Sequence, residues 1–268
     1  MKKEIPILYS TPMVQSKMAW RKTQTRRLVK PQPSEEWMQN TRQFSSNGSM
    51  FDRKGKQLFW IEANDEEVKC PYGQPGDLLW GRESWGYTGW ITKPEYAKMH
   101  GHPVYRYRAT HQENIAEILP WKPSIHMPKA AARIWDEVTG IRVERIAEIS
   151  KEDCIAEGIQ MVYNSKKEYC GYKNYFREGN DKNTVGFGSP IASFRSLWQS
   201  INGKPKPIQA RQNGKLVTIG YEVYPFDEQE AAPFNGLTTW RGKPLTVITN
   251  PWVWVIESKQ LSVTGKPE

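Results

Sequence analysis

The sequence predicts an α+β fold in which a small mixed β-barrel carries flanking helices and inserted loops. Residues 252–256 are wholly apolar, as is typical of a central strand. Residues 78–80 form a second short apolar strand, which follows a Pro75-Gly76-Asp77 turn. Few helical segments separate the strands, so the predicted core is built mainly from sheet.

The N-terminal elements are a helix and a basic run. Ser10-Thr11-Pro12 is typical of a helix start, since a capping hydroxyl precedes a proline in the first turn. The run Arg-Lys-Thr-Gln-Thr-Arg-Arg at residues 21–27 follows at the helix exit. In a straight strand Lys22 and Thr25 point to opposite faces, so a shared role for them requires a bend at residues 20–23.

The later elements are two strands and two helices. Residues 104–108 alternate in polarity as a strand does, and residues 131–146 predict an extended ribbon. A helix is expected over residues 150–158, because it begins with a Ser-x-x-Asp capping pattern and ends at a glycine. Residues 191–201 have the apolar spacing of an amphipathic helix.

The chain is predicted to form a single domain over residues 1–261. Insertions are expected at about residues 31–75, 159–190 and 204–246, where proline, glycine and polar residues are frequent. Residues 262–268 are predicted to be a disordered tail.

Two of these insertions contain predicted hairpins. Residues 51–60 pair around a Lys-Gly turn in the first of them. In the last, residues 215–219 are expected to pair with residues 221–224, and Asn213-Gly214 begins this hairpin as a turn.

The chain is basic. It contains 38 Lys and Arg residues against 29 Asp and Glu residues, which gives a net charge of +9 and a pI near 9.3. This balance suits a polyanionic or nucleotide-like partner. A basic surface that serves only solubility is equally consistent with the charge.

Several classes of protein are not supported by the composition. Cys70, Cys154 and Cys170 are odd in number and contain no C-x-x-C pair, so neither a disulfide framework nor a zinc ribbon is expected. The four histidines lack metal-ligand spacing, and we expect no metal and no cofactor. No signal peptide or membrane-spanning run is visible. We therefore predict a cytoplasmic protein that binds no membrane, and the sequence does not indicate its oligomeric state.

Several motifs occur in an order that resembles a known family. They are the run at residues 22–27, the turn at 75–77, the ribbon at 138–146, the segment at 149–158 and the strand at 254–257. Together they resemble the ASCH branch of the PUA-like superfamily over about half of the chain. The chain is similar to the bacterial N(4)-acetylcytidine amidohydrolases, and in overall style to the longer ASCH proteins of phages and prophages.

The resemblance implies three catalytic residues, Lys22, Thr25 and Glu157. Hydrolysis of an N-acylated cytosine needs a nucleophile, a base and an acid, for which a hydroxyl, an amine and a carboxylate are suitable groups. Lys22 can act as the base only if its pKa falls below the ordinary value of about 10.4. Arg26 and Arg27 are the neighbouring cations expected to lower it.

Five further residues are predicted to bind the substrate: Arg26, Arg27, Glu83, Trp85 and His126. The arginines suit a phosphate or a base edge, or pairing with surface acids. Glu83 directly follows a strand and either faces the barrel mouth or lies in solvent. Trp85 either stacks on a base or fills the core. His126 lies in a proline-bounded loop, where it either contacts a base edge or hydrogen-bonds to the backbone of the loop.

Two functions remain open at this point. The first is an amidohydrolase that removes an acyl group from N(4)-acylated cytosine nucleosides, with a modified cytosine nucleoside as its partner. The second is a non-catalytic module of phage origin that binds RNA, DNA or a modified base. A phage origin would place either protein in the host cytoplasm.

Overall fold

The structure is a computed structural model that describes most of the chain. The described residues are 2–33, 50–51, 57–58, 60–63, 66–87, 105–111, 120–164, 166–176 and 186–267. The chain divides into two compact units. The first unit comprises residues 1–25, 70–141 and 256–268, and the second comprises residues 26–69 and 142–255.

The largest sheet has five strands. They are β1 (Glu4–Leu8), β2 (Gln24–Leu28), β7 (Leu78–Arg82), β10 (Trp135–Arg145) and β17 (Trp252–Ser262). Their order across the sheet is β1, β7, β10, β17, β2, and β2, β10 and β17 each contain residues of both units. In the first unit β1 is parallel to β7, whereas β10 is antiparallel to β7 with Trp135 opposite Trp80.

This architecture confirms the predicted α+β class. The apolar residues 252–256 lie in β17, which has a strand on each side, and all five are buried. A closed barrel is not formed by the described strands. Closure requires a ladder between the first and last strands, whereas β1 and β2 are the edges of this sheet.

The first unit also contains a helix, an antiparallel pair of strands and several short turns. Helix α1 (Thr11–Met18) begins after Ser10, with proline in its first turn as predicted. Strands β8 (Trp85–Tyr87) and β9 (Tyr105–Tyr107) are antiparallel. Short 3₁₀ turns occupy Arg108–Thr110, Ser124–His126 and Lys129–Ala131. The buried cluster beneath them consists of Trp80, Trp85, Met127, Ala131, Ala132 and Trp135.

The described helices of the second unit are α2 (Lys151–Ala156), α3 (Pro190–Asn202) and α4 (Glu228–Ala231), with 3₁₀ turns at Ile146–Glu148 and Ala232–Phe234. The capping pattern of α2 is confirmed, since Ser150 Oγ accepts from the Asp153 amide at 3.0 Å. Gly158 has a φ of 88°, which allows the chain to leave the helix directly after Glu157.

Three two-stranded ladders lie in the first two predicted insertions. They pair β3 (Met50–Phe51) with β4 (Gln57–Leu58), β5 (Trp60–Ala63) with β6 (Glu66–Lys69), and β11 (Met161–Tyr163) with β12 (Tyr169–Tyr172). The first of these ladders confirms the predicted hairpin as far as Leu58, whereas Trp60 belongs to the next ladder, opposite Lys69. The Lys54-Gly55 turn of that hairpin lies outside the described residues.

The third insertion contains a separate four-stranded sheet. Its strands are β13 (Lys206–Gln212), β14 (Lys215–Val223), β15 (Thr239–Trp240) and β16 (Lys243–Val247), in the order β13, β14, β16, β15. The Asn213-Gly214 turn was predicted correctly, but the strand partner was wrong. Asn213 and Gly214 have φ values of 50° and 78°, as a tight hairpin turn requires, and they join β13 to β14.

The burial of the cysteines leads to a testable expectation. Burial raises the pKa of Cys70 and of Cys154 to about 12, whereas Cys170 is only half-buried. The reactive thiolate is therefore scarce at the first two positions. In the native protein at pH 8 we expect a thiol reagent to label only Cys170 quickly, and all three cysteines after unfolding. Rapid labelling of a native Cys170→Ala variant would contradict this.

Candidate functional site

The bend that the sequence requires before Lys22 is present. Helix α1 ends at Met18, and Trp20 has a φ of 56°, which is left-handed backbone that non-glycine residues seldom adopt. The Arg21 amide donates to the Ser16 carbonyl at 3.0 Å and closes the helix end. Because β2 begins only at Gln24, the alternation of a regular strand does not apply to Lys22.

Lys22 and Thr25 are both buried in the first unit. Their residues are 1% and 2% exposed, respectively. Lys22 Nζ donates a hydrogen bond to the main-chain carbonyl of Gln24 at 2.7 Å. An amine in this environment is held by protein groups rather than by water, so Lys22 is not an ordinary solvated lysine.

The first unit also contains a buried ion pair that sequence reasoning missed. Lys17 Nζ lies 2.9 Å from Asp136 Oδ1, and both side chains are fully buried. Tyr9 donates its hydroxyl hydrogen to Asp136 Oδ2 at 3.2 Å, and Lys17 also donates to Ser258 Oγ at 3.4 Å. The pair therefore connects α1 with β10 and β17.

Asp136 is close enough to Lys22 for the two charges to interact. Burial raises the pKa of Asp136, while Lys17, Tyr9 and Lys22 act in the opposite direction. A signal for this pair was present in the sequence, because Lys17 lies one helical turn from Met13 and Val14, on the apolar face of α1.

In the second unit, Arg26 is the centre of a network of three carboxylates. Arg26 Nη2 lies 2.7 Å from Glu144 Oε1 and 2.6 Å from Asp153 Oδ2. Arg26 Nη1 donates to Glu157 Oε1 at 3.3 Å. Arg142 extends the network, since its Nη2 donates to Asp153 Oδ2 at 2.6 Å.

This network explains why a carboxylate is found at the end of α2. A helix C-terminus disfavours an anion, and Glu157 is both the capping residue of α2 and buried. The Arg26 guanidinium compensates the charge. Burial by itself lowers the pKa of Arg26, but Glu157, Glu144 and Asp153 outweigh that effect, so its pKa is raised. Of the two alternatives for Arg26, the structure shows pairing with acids, and its role in substrate binding stays a prediction.

Arg27 belongs to a second group of charges in the same unit. It is half-buried, and its Nη1 donates to the Arg26 carbonyl at 3.2 Å. Lys30 forms an ion pair with Glu222, and Arg27, Lys30 and Glu222 all act on the charge of Lys206. Lys206 thus interacts with two nearby cations and one carboxylate.

Glu83 lies in the interior of the first unit rather than in solvent. It is 2% exposed, and Arg133 donates to its two carboxylate oxygens at 2.8 and 2.9 Å. The Arg133 guanidinium stacks on the Tyr107 ring at 4.0 Å. Burial raises the pKa of Glu83, and Arg133 opposes this. These contacts favour a structural role, although the predicted substrate role stays a prediction.

The two remaining predicted residues differ in exposure. Trp85 is 3% exposed within the aromatic cluster of the first unit, where it meets the rings of Tyr87 and Tyr105 edge-on. His126 ends the Ser124–His126 turn and is exposed. Core packing therefore accounts for the position of Trp85.

Comparison with known proteins identifies no relative of this chain. No family model, curated protein or solved structure matches the chain. Across the described residues, no three His, Cys, Asp or Glu side chains form a group that can hold a metal ion. The helices within those same ranges are all too short or too polar to span a membrane.

The predicted site residues are thus divided between the units. Lys22, Thr25, Glu83, Trp85 and His126 belong to the first unit. Arg26, Arg27 and Glu157 belong to the second. Within the first unit, Lys22 lies between α1 and β2 and Thr25 lies in β2, and both are buried, whereas Glu83 is paired with Arg133.

Proposed function

We propose that the chain is an amidohydrolase that removes the acyl group from N(4)-acylated cytosine nucleosides, such as N(4)-acetylcytidine. The observation that carries this proposal is the burial of Lys22, just before β2, and of Thr25, within β2. An amine and a hydroxyl that are withdrawn from water are suited to acyl transfer, because competing solvent contacts are removed.

In this mechanism the Thr25 hydroxyl attacks the acyl carbonyl carbon while Lys22 accepts the hydroxyl proton, for which its amine must first lose a proton to solvent. The C–N bond then breaks, and Lys22 returns the proton to the departing cytosine amine. Water hydrolyses the resulting threonine ester, which releases the carboxylic acid and regenerates the hydroxyl. Glu157 lies in the second unit, and its role as an acid stays a prediction of the resemblance.

The proposal includes a PUA-like, ASCH-type fold. The support is that the motif at residues 22–27, the strand after the Pro75-Gly76-Asp77 turn, the ribbon and the closing strand all contribute to the five-stranded sheet. We also propose that the protein acts in the cytoplasm, which would be the host cytoplasm for a phage protein.

The direct test is hydrolysis of N(4)-acetylcytidine followed by mass spectrometry of cytidine and acetate. We expect the wild-type chain to form both products. The variant Lys22→Met keeps the buried aliphatic stem and removes the amine, so we expect the rate to fall by about 100-fold or more, as for loss of a general base.

Arg21→Ala is the matched control, because Arg21 is the adjacent cation and is exposed. We expect it to retain nearly full activity. The proposal fails if the wild type releases no product from any acylated cytosine, or if folded Lys22→Met is as active as the wild type. Binding of a modified base without product would favour the non-catalytic module instead.

A further inference from the structure

The four-stranded sheet of the second unit has an unusual distribution of charge. From residue 204 to residue 221 the chain contains four basic residues and no acidic one, and residues 237–250 add two basic residues and again no acidic one. The six are Lys204, Lys206, Arg211, Lys215, Arg241 and Lys243. The strands β13 to β16 contain a single carboxylate, Glu222, which pairs with Lys30. We call this surface the basic sheet.

Four of the six cations of the basic sheet lie at its turns. Arg211 and Lys215 flank the turn between β13 and β14, and both are exposed. Arg241 and Lys243 are exposed at the turn between β15 and β16. The apolar side chain of Leu216, opposite Arg211, is 64% exposed. Charges placed at exposed turns remain accessible to a large partner.

Positive charge is also concentrated where β13 begins. Lys206 Nζ donates to Asn202 Oδ1 at 2.8 Å. Burial lowers the pKa of Lys206, and the nearby charges of Lys30 and Arg27 lower it further, while Glu222 acts in the opposite direction. Like charges held this close raise the local potential, which an incoming polyanion would relieve.

The basic sheet also offers an aromatic surface. Trp240 is half-buried and pairs directly with Lys243 across the β15–β16 ladder. Cross-strand partners lie on the same face, so the indole and the ammonium share one face of this ladder. A stacking ring beside cations is the combination that binds a single strand, in which phosphates and unpaired bases are both accessible.

We propose that the basic sheet binds the sugar-phosphate backbone of single-stranded RNA. Cations that neutralise the phosphates of a strand gain binding free energy, because condensed counterions are released. The choice of RNA over DNA rests on the ribonucleoside substrate proposed for Lys22 and Thr25. The choice of a single strand over a duplex rests on Trp240.

The test is fluorescence anisotropy with a labelled 20-nucleotide oligouridylate at several KCl concentrations. This probe contains no cytosine, so binding is measured independently of hydrolysis. We expect the double charge reversal Arg211→Glu/Lys215→Glu to weaken binding by about tenfold or more at 0.1 M KCl. The slope of log Kd against log salt should also become shallower by about 1.4, as expected for two lost phosphate contacts with a single strand.

The control Lys151→Glu/Lys259→Glu makes the same change in net charge at two exposed lysines outside the basic sheet. We expect less than a twofold effect. Equal weakening by both pairs would overturn the proposal, because net charge alone would then explain binding. So would the absence of wild-type binding, tighter binding to oligodeoxythymidylate or to duplex RNA, or a preference for phosphatidylserine vesicles.

The proposed hydrolase activity and the proposed RNA-binding surface can be tested independently. Arg211→Glu/Lys215→Glu should hydrolyse free N(4)-acetylcytidine as fast as the wild type, because a free nucleoside has no strand for the basic sheet to hold. Loss of oligouridylate binding with normal hydrolysis supports the RNA surface. RNA binding by a wild type that hydrolyses nothing leaves this surface intact and removes the proposed enzymatic activity.

Discussion

We expect Arg26→Met to lower the free energy of unfolding by about 3–5 kcal/mol at pH 7, as is typical when one partner of a buried charge network is removed. The Arg26 side chain is 1% exposed and serves Glu144, Asp153 and Glu157 together. Methionine fills a similar volume but leaves these carboxylates without their common cation. Urea unfolding followed by circular dichroism and tryptophan fluorescence measures the difference.

Arg195→Met is the matched control. Arg195 also binds two carboxylates, at 2.7 Å from Asp227 and 3.1 Å from Glu230, but its side chain is 25% exposed. Water screens this network more effectively, so we expect a clearly smaller loss. Equal losses of stability in the two variants would show that burial does not determine how much Arg26 contributes to the free energy of unfolding. If Arg26→Met fails to fold, Arg26→Lys should restore part of the stability.

We also expect Lys17→Met to lower the free energy of unfolding by about 3–5 kcal/mol near neutral pH, because it leaves Asp136 buried without its cation. Lys17 and Asp136 are fully buried and 2.9 Å apart. The exposed pair of Lys2 and Glu137, 2.6 Å apart, is the control, and Lys2→Met should change stability little.

The loss of stability caused by Lys17→Met should depend on pH in a definite direction. Burial already raises the pKa of Asp136, and removing Lys17 raises it further. A carboxylate whose native pKa is raised keeps its proton to higher pH than in the unfolded chain, so the folded state is favoured in acid. The difference in the free energy of unfolding between the wild type and Lys17→Met should therefore be smaller at pH 5 than at pH 8. A constant or reversed difference would contradict this account.

The double variant Lys17→Met/Asp136→Leu separates the cost of an unpaired charge from the value of the pair. Apolar replacement of a whole buried pair is often neutral or stabilising, so we expect it to recover most of the loss. A double variant as unstable as Lys17→Met would instead show that the ion pair itself stabilises the first unit.

Local signals predicted several elements correctly. Pro12 placed the start of α1 after Ser10, whose side chain makes no capping hydrogen bond. Ser150 with Gly158 placed α2, because capping and helix exit depend on neighbouring residues. The apolar residues 252–256 identified an inner strand, since burial on both faces leaves a continuous pattern.

Pairing between strands was less predictable. The predicted partner of residues 215–219 was wrong, because their strand continues through Gly220 to Val223. A glycine marks either a turn or a position within a strand where another chain segment approaches closely. Here a side chain at position 220 would come within 3.2 Å of the Pro244 carbonyl, which only the tertiary structure shows.

In the candidate site, too, local features were predictable from the sequence and long-range contacts were not. The run of residues 21–27 by itself determined that an amine, two hydroxyls and several guanidiniums lie together at a helix exit. Only the tertiary structure decided that Lys22 is buried, that Arg26 holds three carboxylates, and that Lys17 meets Asp136. Residue type and helix capping are local properties, whereas burial and charge pairing depend on which distant segments fold against them.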